Sequence, residues 1–189
     1  MMTAPEILQA LQEKFPDTII KSEMGVLDPY AYVKAEEIAE VCAFSKEHPS
    51  LAFDSLMCLS GVDYKGLKGE EERLEVVYHL FSMQHRHKFV LKIQLPRENP
   101  SVSTVENVWA IANWHEREAY DMFGIHFSGH SDFRRILCPD DWEGYPLRKD
   151  YEQPESYLGM PVRPTTQIVE MAQQGKPVGT DPFTHFKGE

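Results

Sequence analysis

The chain has 189 residues, 42% hydrophobic and 26% charged, the mix of a globular domain long enough to bury a real core. Its formal net charge of −11 excludes a nucleic-acid surface, which needs an excess of Lys and Arg to neutralise phosphates, and it disfavours direct binding to anionic lipid. No apolar run approaches the roughly 18–20 residues of a membrane-spanning helix, and the three widely spaced cysteines, Cys42, Cys58 and Cys138, make neither a disulfide framework nor an iron–sulfur ligand set.

Met1 to Lys14 lacks the basic and apolar regions of a secretory signal and contains no Arg, so the expected location is cytosolic or on the cytosolic face of a membrane. Thr3-Ala4-Pro5-Glu6 reads as a capping box with a proline in the first turn, and Ile7, Leu8, Leu11 and Phe15 follow at helical spacing. Thr18–Ser22 and Tyr30–Val33 read as strands joined through an Asp28-Pro29 turn. Ala35, Ile38, Ala39 and Cys42 mark an amphipathic helix that stops near His48-Pro49. Leu51 to Val62 is apolar on both faces, which predicts a central strand. Two runs then alternate, Leu74-Val76-Tyr78-Leu80 and Phe89-Leu91-Ile93-Leu95, joined as a hairpin through Ser82–His87. Ser103 and Glu106 predict a second capping box opening a helix with Val105, Val108, Trp109 and Ala112 on its apolar face. Asn113 and Glu116 repeat the pattern for a short helix ending at Gly124.

The resulting order, α-β-β-α-β-β-β followed by a helical segment, excludes a regular βαβ array and predicts one α+β domain over residues 1–151: a mixed sheet with helices packed on it. After Tyr151 the prolines at 154, 161, 164, 177 and 182 break up a polar segment, residues 152–189, where only Ile168–Ala172 has a helical pattern. Too little apolar surface is available there to offset the entropy of ordering, so an extended tail is expected, either mobile or laid on a partner.

The stretch from Glu116 to Tyr151 has a density of charge, glycine and aromatic residues that core packing alone does not require. Glu118 and Asp121 share a helical face, and Arg117 and Asp121 are spaced to pair at i,i+4. A general acid/base pair or a carboxylate metal site is one reading, while a capped, self-paired helix start with Glu116 at its third position is the plainer one. His126, His130 and Asp132 compose a two-histidine, one-carboxylate set, although Gly124 and Gly129 bracket the segment and make helical geometry doubtful. His85 and His87, in the hairpin, are expected to be solvated. Arg134-Arg135 before Ile136-Leu137 suits either internal pairing to Asp132, Asp140 or Asp141, or anchoring at a partner. Trp142, Tyr145 and Tyr151, set among charges, read as contact residues. No phosphate-cradling loop, Gly-x-Gly-x-x-Gly run or nucleophile elbow is present.

The stretch resembles the signature of the 30-kDa subunit of respiratory complex I, known in bacteria as the C subunit of NADH-quinone oxidoreductase. The matching residues are Glu116-Arg117-Glu118, Asp121-Met122-Phe123-Gly124-Ile125, Gly129-His130, Asp132, Arg134-Arg135-Ile136-Leu137, Asp140-Asp141-Trp142-Glu143-Gly144 and Pro146-Leu147-Arg148-Lys149-Asp150-Tyr151. Ala119 and Tyr145 depart from residues common in that family. The resemblance implies an α+β fold and a non-redox subunit of the peripheral arm of a proton-translocating NADH:quinone oxidoreductase, on the cytoplasmic face of the cell membrane. It implies contact with the 49-kDa-type large subunit, the terminal-cluster subunit and other peripheral-arm subunits. Iron–sulfur clusters, flavin and quinone are then held by those partners, and this chain holds no cofactor, metal or catalytic residue. Glu116, Arg117, Glu118, Asp121, Gly124, His130, Arg134, Arg135, Asp141, Trp142, Arg148, Lys149, Asp150 and Tyr151 become an adhesive, self-locking surface. Two alternatives stand beside this: the equivalent subunit of a membrane-bound [NiFe]-hydrogenase-like complex, and a stand-alone metal-dependent enzyme using His126, His130 and Asp132.

Overall fold

The computed structural model describes residues 2–154 and 156–161; the Ile168–Ala172 pattern lies outside them. The chain divides after Tyr151 into two units.

In the first unit, helix α1 spans Ala4–Lys14, opened by the Thr3/Glu6 capping box with Pro5 in its first turn. Strands β1 (Ile19–Glu23) and β2 (Tyr30–Val33) follow. A 3-10 turn at Ala35–Glu37 leads into helix α2, Ile38–Glu47. Strands β3 (Ser55–Asp63), β4 (Leu74–Ser82) and β5 (His87–Leu95) come next. A short β6 (Ser101–Ser103), helix α3 (Ala112–Phe123) and a short β7 (His126–Ser128) complete it. In the second unit, β8 (Ser156–Tyr157) and β9 (Met160–Pro161) pair antiparallel.

The main sheet has the order β1-β2-β5-β4-β3. It is mixed, because β2 runs parallel to β5 while the other pairs are antiparallel. The alternation of β4 and β5 is satisfied in register: Leu74 faces Leu95, Val76 faces Ile93, Tyr78 faces Leu91 and Leu80 faces Phe89. All eight side chains join one core with Ile7 and Leu11 of α1, Ile38, Val41 and Cys42 of α2, and Ala112 and Ala119 of α3. Each large side chain in it stabilises the fold by about 1.5–3 kcal/mol on burial. Gly61 of β3 is needed where α3 approaches: a Cβ there would stand 2.5 Å from the Phe123 ring.

Two expectations are corrected. The strand predicted from Leu51 to Val62 is an edge strand that begins at Ser55. Its apolar run misleads because Leu51 and Phe53 enter the core before the strand starts, while Met57 occupies a register shift between Leu56 and Cys58 and is largely exposed. A second shift falls between Ile19 and Lys21 in β1, and Ile20 is likewise exposed. The helix predicted from Ser103 does not form. Ser101–Ser103 pairs with His126–Ser128 as a two-stranded parallel ladder, and the chain then turns until α3 starts at Ala112. That turn segment is held by the Trp109 indole N–H, which donates to the Phe53 carbonyl at 3.0 Å.

Candidate functional site

Helix α3 and the irregular segment from His130 to Tyr151, a strap laid over the helix, form one connected assembly. The i,i+4 residues Arg117 and Asp121 share a face as expected, but they do not pair with each other. Asp121 is fully buried and takes the Arg135 guanidinium at 2.7 Å together with the backbone N–H groups of Ile136, Leu137 and Cys138 at 3.1, 2.7 and 2.8 Å. Burial acts to raise the pKa of this carboxyl. The amides of Cys138 and Leu137, the Arg135 charge and the Ile136 amide outweigh it and hold the pKa below the usual range. Arg117 instead donates to the carbonyls of Arg134 and Arg135 and lies 3.5 Å from Asp132. Helical periodicity places the two groups correctly, but the strap laid over them supplies better partners than they offer each other.

The strap also closes the end of α3. Gly124 stops the helix in the left-handed region at φ +73°, its N–H donating to the Tyr120 carbonyl. The Met122 carbonyl accepts from the Leu147 N–H at 3.0 Å and the Phe123 carbonyl from Arg148 at 2.7 Å. A cation at this negative end of the helix suits the macrodipole. Tyr145 covers Gly124 so closely that a Cβ there would stand 2.4 Å from the ring, and Arg135 and Arg148 lie over that ring at 5.6 and 5.1 Å. The Trp142 indole donates to the Tyr151 hydroxyl at 3.0 Å. The three aromatic residues expected at a contact are thus half-buried and engaged within the strap.

A second buried carboxylate fastens the far end. Asp63, at the end of β3, accepts the N–H groups of Lys149 and Lys65, each at 2.9 Å, and pairs with Arg97. Burial raises its pKa, and Arg97 with the two amides brings it below the ordinary value. Asp150 bridges Lys65 at 3.1 Å and Arg97 at 2.7 Å, and its pKa falls to about 2, chiefly through Lys65. Asp63 and Arg97 were not singled out in the sequence. No local signal marks them, since the Asp63–Lys149 contact joins residues 86 apart.

Glu116 is not a helix cap. It is fully buried and accepts from the Thr104 hydroxyl and, at 2.8 Å, from the Val105 N–H. Burial pushes its pKa up to about 7 despite those bonds. Glu106 caps no helix either: it takes the Ser131 N–H and hydroxyl at 2.7 and 3.0 Å and the Asn113 amide at 2.8 Å.

The candidate histidine set is occupied within the fold. The Asp132 N–H donates to His130 Nδ1 at 3.0 Å, which leaves Nε2 to donate to the Asn113 carbonyl at 3.1 Å. Both ring nitrogens are therefore used. His126 packs edge-on against Phe133 at 4.8 Å, and Asp132 is bonded to Arg134. Among the described residues no group of three His, Cys, Asp or Glu is placed to hold a metal. His87, expected in solvent, is buried: its Nε2 lies 2.7 Å from the Leu51 carbonyl, and its Nδ1 receives the Met2 N–H. The structure separates the paired arginines. Arg134 keeps 70% of its side chain exposed beside Asp132, whereas Arg135 keeps 12% and faces Asp121. Glu118 and Asp141 are exposed.

Residues 31–157, which include the whole strap and most of the sheet, match the family described as "Respiratory-chain NADH dehydrogenase, 30 Kd subunit". The chain belongs to this family. Among its relatives in the 30-kDa family is the NADH-quinone oxidoreductase C subunit of Chlorobium phaeobacteroides, 45% identical over 80% of this chain and 90% of that protein. The same subunit of Chloroherpeton thalassium is 45% identical over 82% of this chain, which spans only 63% of that longer protein. The C subunit of the F(420)H(2) dehydrogenase of Methanosarcina mazei is 41% identical over 89% of this chain and all of that one. Of solved structures, the trypsin-resistant fragment (1–134) of Nqo5 superposes with a TM-score of 0.60 at 30% identity, covering 69% of this chain and 99% of that fragment. A chain of an archaeal membrane-bound sulfane sulfur reductase shares the fold with a TM-score of 0.65 at 22% identity, over 100% of this chain and 99% of that one.

Proposed function

We propose that this chain is the 30-kDa-type subunit of the peripheral arm of a proton-translocating NADH:quinone oxidoreductase, and that it acts as a scaffold without a redox centre or catalytic residue of its own. The observation that carries the reading is how the family signature is used. Asp121, Glu116, Arg117, Arg135 and Arg148 all bind groups of this same chain, mostly backbone amides and carbonyls. A catalytic constellation would leave a reactive group facing a cleft. Here the ionic groups fix the shape of a surface loop, which is what a preformed contact surface requires.

In this reading the strap buttresses the 49-kDa-type and terminal-cluster subunits and keeps water from the quinone end. Iron–sulfur clusters, flavin and quinone belong to those partners. Attachment at the cytoplasmic face of the cell membrane comes through them; among the described residues no helix is long and apolar enough to cross a membrane.

The test is purification of the tagged chain from detergent-solubilised host membranes, with partners identified by mass spectrometry and quinone reduction assayed on the eluate. Cluster-bearing and large peripheral-arm subunits with NADH-driven quinone reduction are expected. Activity with reduced F420 or ferredoxin would reassign the donor, and hydrogenase subunits would reassign the complex. A chain that elutes alone would overturn the proposal.

A further inference from the structure

Helix α3 carries an exposed face whose apolar residues, Ile111 and Trp114, lie outside the signature. Ile111, Trp114 and Glu118 stand at i, i+3 and i+7, one stripe of the helix. All three are exposed, Trp114 by 59% and Ile111 by 47%. The strap extends this stripe. Arg117 sits 5.1 Å from the Trp114 ring and donates to the carbonyls of Arg134 and Arg135. One turn further on, Asp121 holds the N–H of Leu137, a residue 61% exposed. Asp140, also exposed, acts electrostatically on Arg134. Ile111 and Trp114 thus stand exposed on one stripe bordered by the segment that carries the exposed Leu137, with the indole steadied by a buried guanidinium. An aromatic anchor held in place before binding loses little entropy on docking, which is the character of an interface hot spot.

The charge of the patch selects its partner. Arg117 is the only Lys or Arg between Arg97 and Arg134, and it is buried. Arg134 is bonded to Asp132. No ion pair among the described residues engages Glu118 or Asp140, so with Arg117 buried the carboxylates Glu118, Asp132 and Asp140 outnumber the one exposed cation, Arg134. A second copy of this chain would set carboxylates against carboxylates, and nucleic acid or anionic lipid would be repelled.

We propose that the α3 stripe and the adjoining strap, centred on Trp114 and rimmed by Glu118 and Asp140, dock a protein partner that presents an apolar socket lined by Lys or Arg. This rests on the chain being a subunit of a larger complex, and it names the surface and the chemistry of the contact.

The experiment expresses the full-length tagged chain in its host as wild type, Trp114→Glu, the double variant Glu118→Lys/Asp140→Lys, and the control Leu27→Asp, at a residue 87% exposed in the β1–β2 loop. Co-purified subunits are quantified by mass spectrometry, and each purified chain is melted. Trp114→Glu is expected to lower partner recovery at least tenfold and the charge reversal at least fivefold, with Leu27→Asp like wild type and all melting transitions retained. Wild-type recovery with both patch variants would overturn the docking surface while leaving the subunit reading intact. A wild-type chain that purifies alone would overturn both, so the wild-type lane tells the two failures apart. Should Trp114→Glu fail to fold, the charge reversal decides: on a folded chain, retained partners overturn the surface and lost partners support it.

Discussion

Replacing Asp121 by Ala removes the acceptor of four hydrogen bonds, one from Arg135 and three from consecutive strap amides. Breaking a buried ion pair from one side costs about 3–5 kcal/mol, because the surviving charge stays desolvated; Arg135 keeps only 12% of its side chain in solvent. The three amides are half-buried, so water recovers part of what each loses and about 1 kcal/mol is added in all. The expected loss is thus about 4–6 kcal/mol, a large share of the roughly 5–15 kcal/mol that holds a domain together. At about 2–4 °C per kcal/mol for a domain of this size, the melting point should fall by about 8–24 °C. Asp121→Asn retains an acceptor oxygen but no charge and should lose about half as much. Urea unfolding followed by tryptophan fluorescence suits the measurement, since Trp142 lies in the strap itself. Combining Asp121→Ala with Arg135→Ala should give a coupling of about 2–3 kcal/mol, as the second change removes the stranded charge. A loss below about 1 kcal/mol for Asp121→Ala, or strict additivity with Arg135→Ala, would show that the strap is not fastened at this carboxylate.

Glu116 sets a pH dependence. Its folded pKa, about 7, lies above its ordinary 4.5, so between these values the folded chain keeps a proton that the unfolded chain has released. Stability is therefore full below pH 4.5 as far as this group is concerned and falls as pH rises to 7, by up to about 3 kcal/mol. Glu116→Gln, which still accepts from Val105, should flatten that slope in urea melts at stepped pH; an unchanged slope would refute the assignment. The depressed carboxyls Asp63, Asp121 and Asp150 act the other way, with a contribution lost only as pH drops below their ordinary 3.8. Gly124→Ala should cost about 2–4 kcal/mol from left-handed strain and the clash with Tyr145, and Tyr145→Ala should return part of it; full additivity would mean that the ring does not crowd that position. Arg134→Ala should move stability by less than about 1 kcal/mol, as exposed pairs do, while Arg135→Ala should cost about 2–4 kcal/mol. Equal effects from the two would contradict their different placement.

The sheet was readable where one face is buried over a whole strand. The alternations at Leu74–Leu80 and Phe89–Leu95 need only a period of two, and both strands sit where that pattern puts them. The capping box of α1 was equally plain because it is local. Val105, Val108, Trp109 and Ala112 misled: their helical spacing is real, but Val105 gives its amide to Glu116 and Glu106 gives its carboxylate to Ser131. Tertiary hydrogen bonds overrode a local pattern. Three-residue strands such as β6 and β7 are too short to show any period. In the candidate site the residue types and the helical face were legible, and the partners were not. Arg117 and Asp121 look like a pair in one dimension and are claimed by different stretches of the strap in three.

The two register shifts in the outer strands bear on how copies of this chain avoid pairing with one another. Among the described residues the five-stranded sheet is open, with β1 and β3 at its two margins, and a sheet margin is a template onto which another strand can zip. Here the margin strands β1 and β3 each contain an extra residue, Ile20 and Met57. An incoming segment would lose step at that point, with a bulky side chain in its way. Fibre-like stacking of copies is thereby discouraged at both borders, and any recognition is left to side-chain surfaces, where shape and charge can discriminate. Excising either residue to restore an even ladder would trade that safeguard for a chain more prone to aggregate.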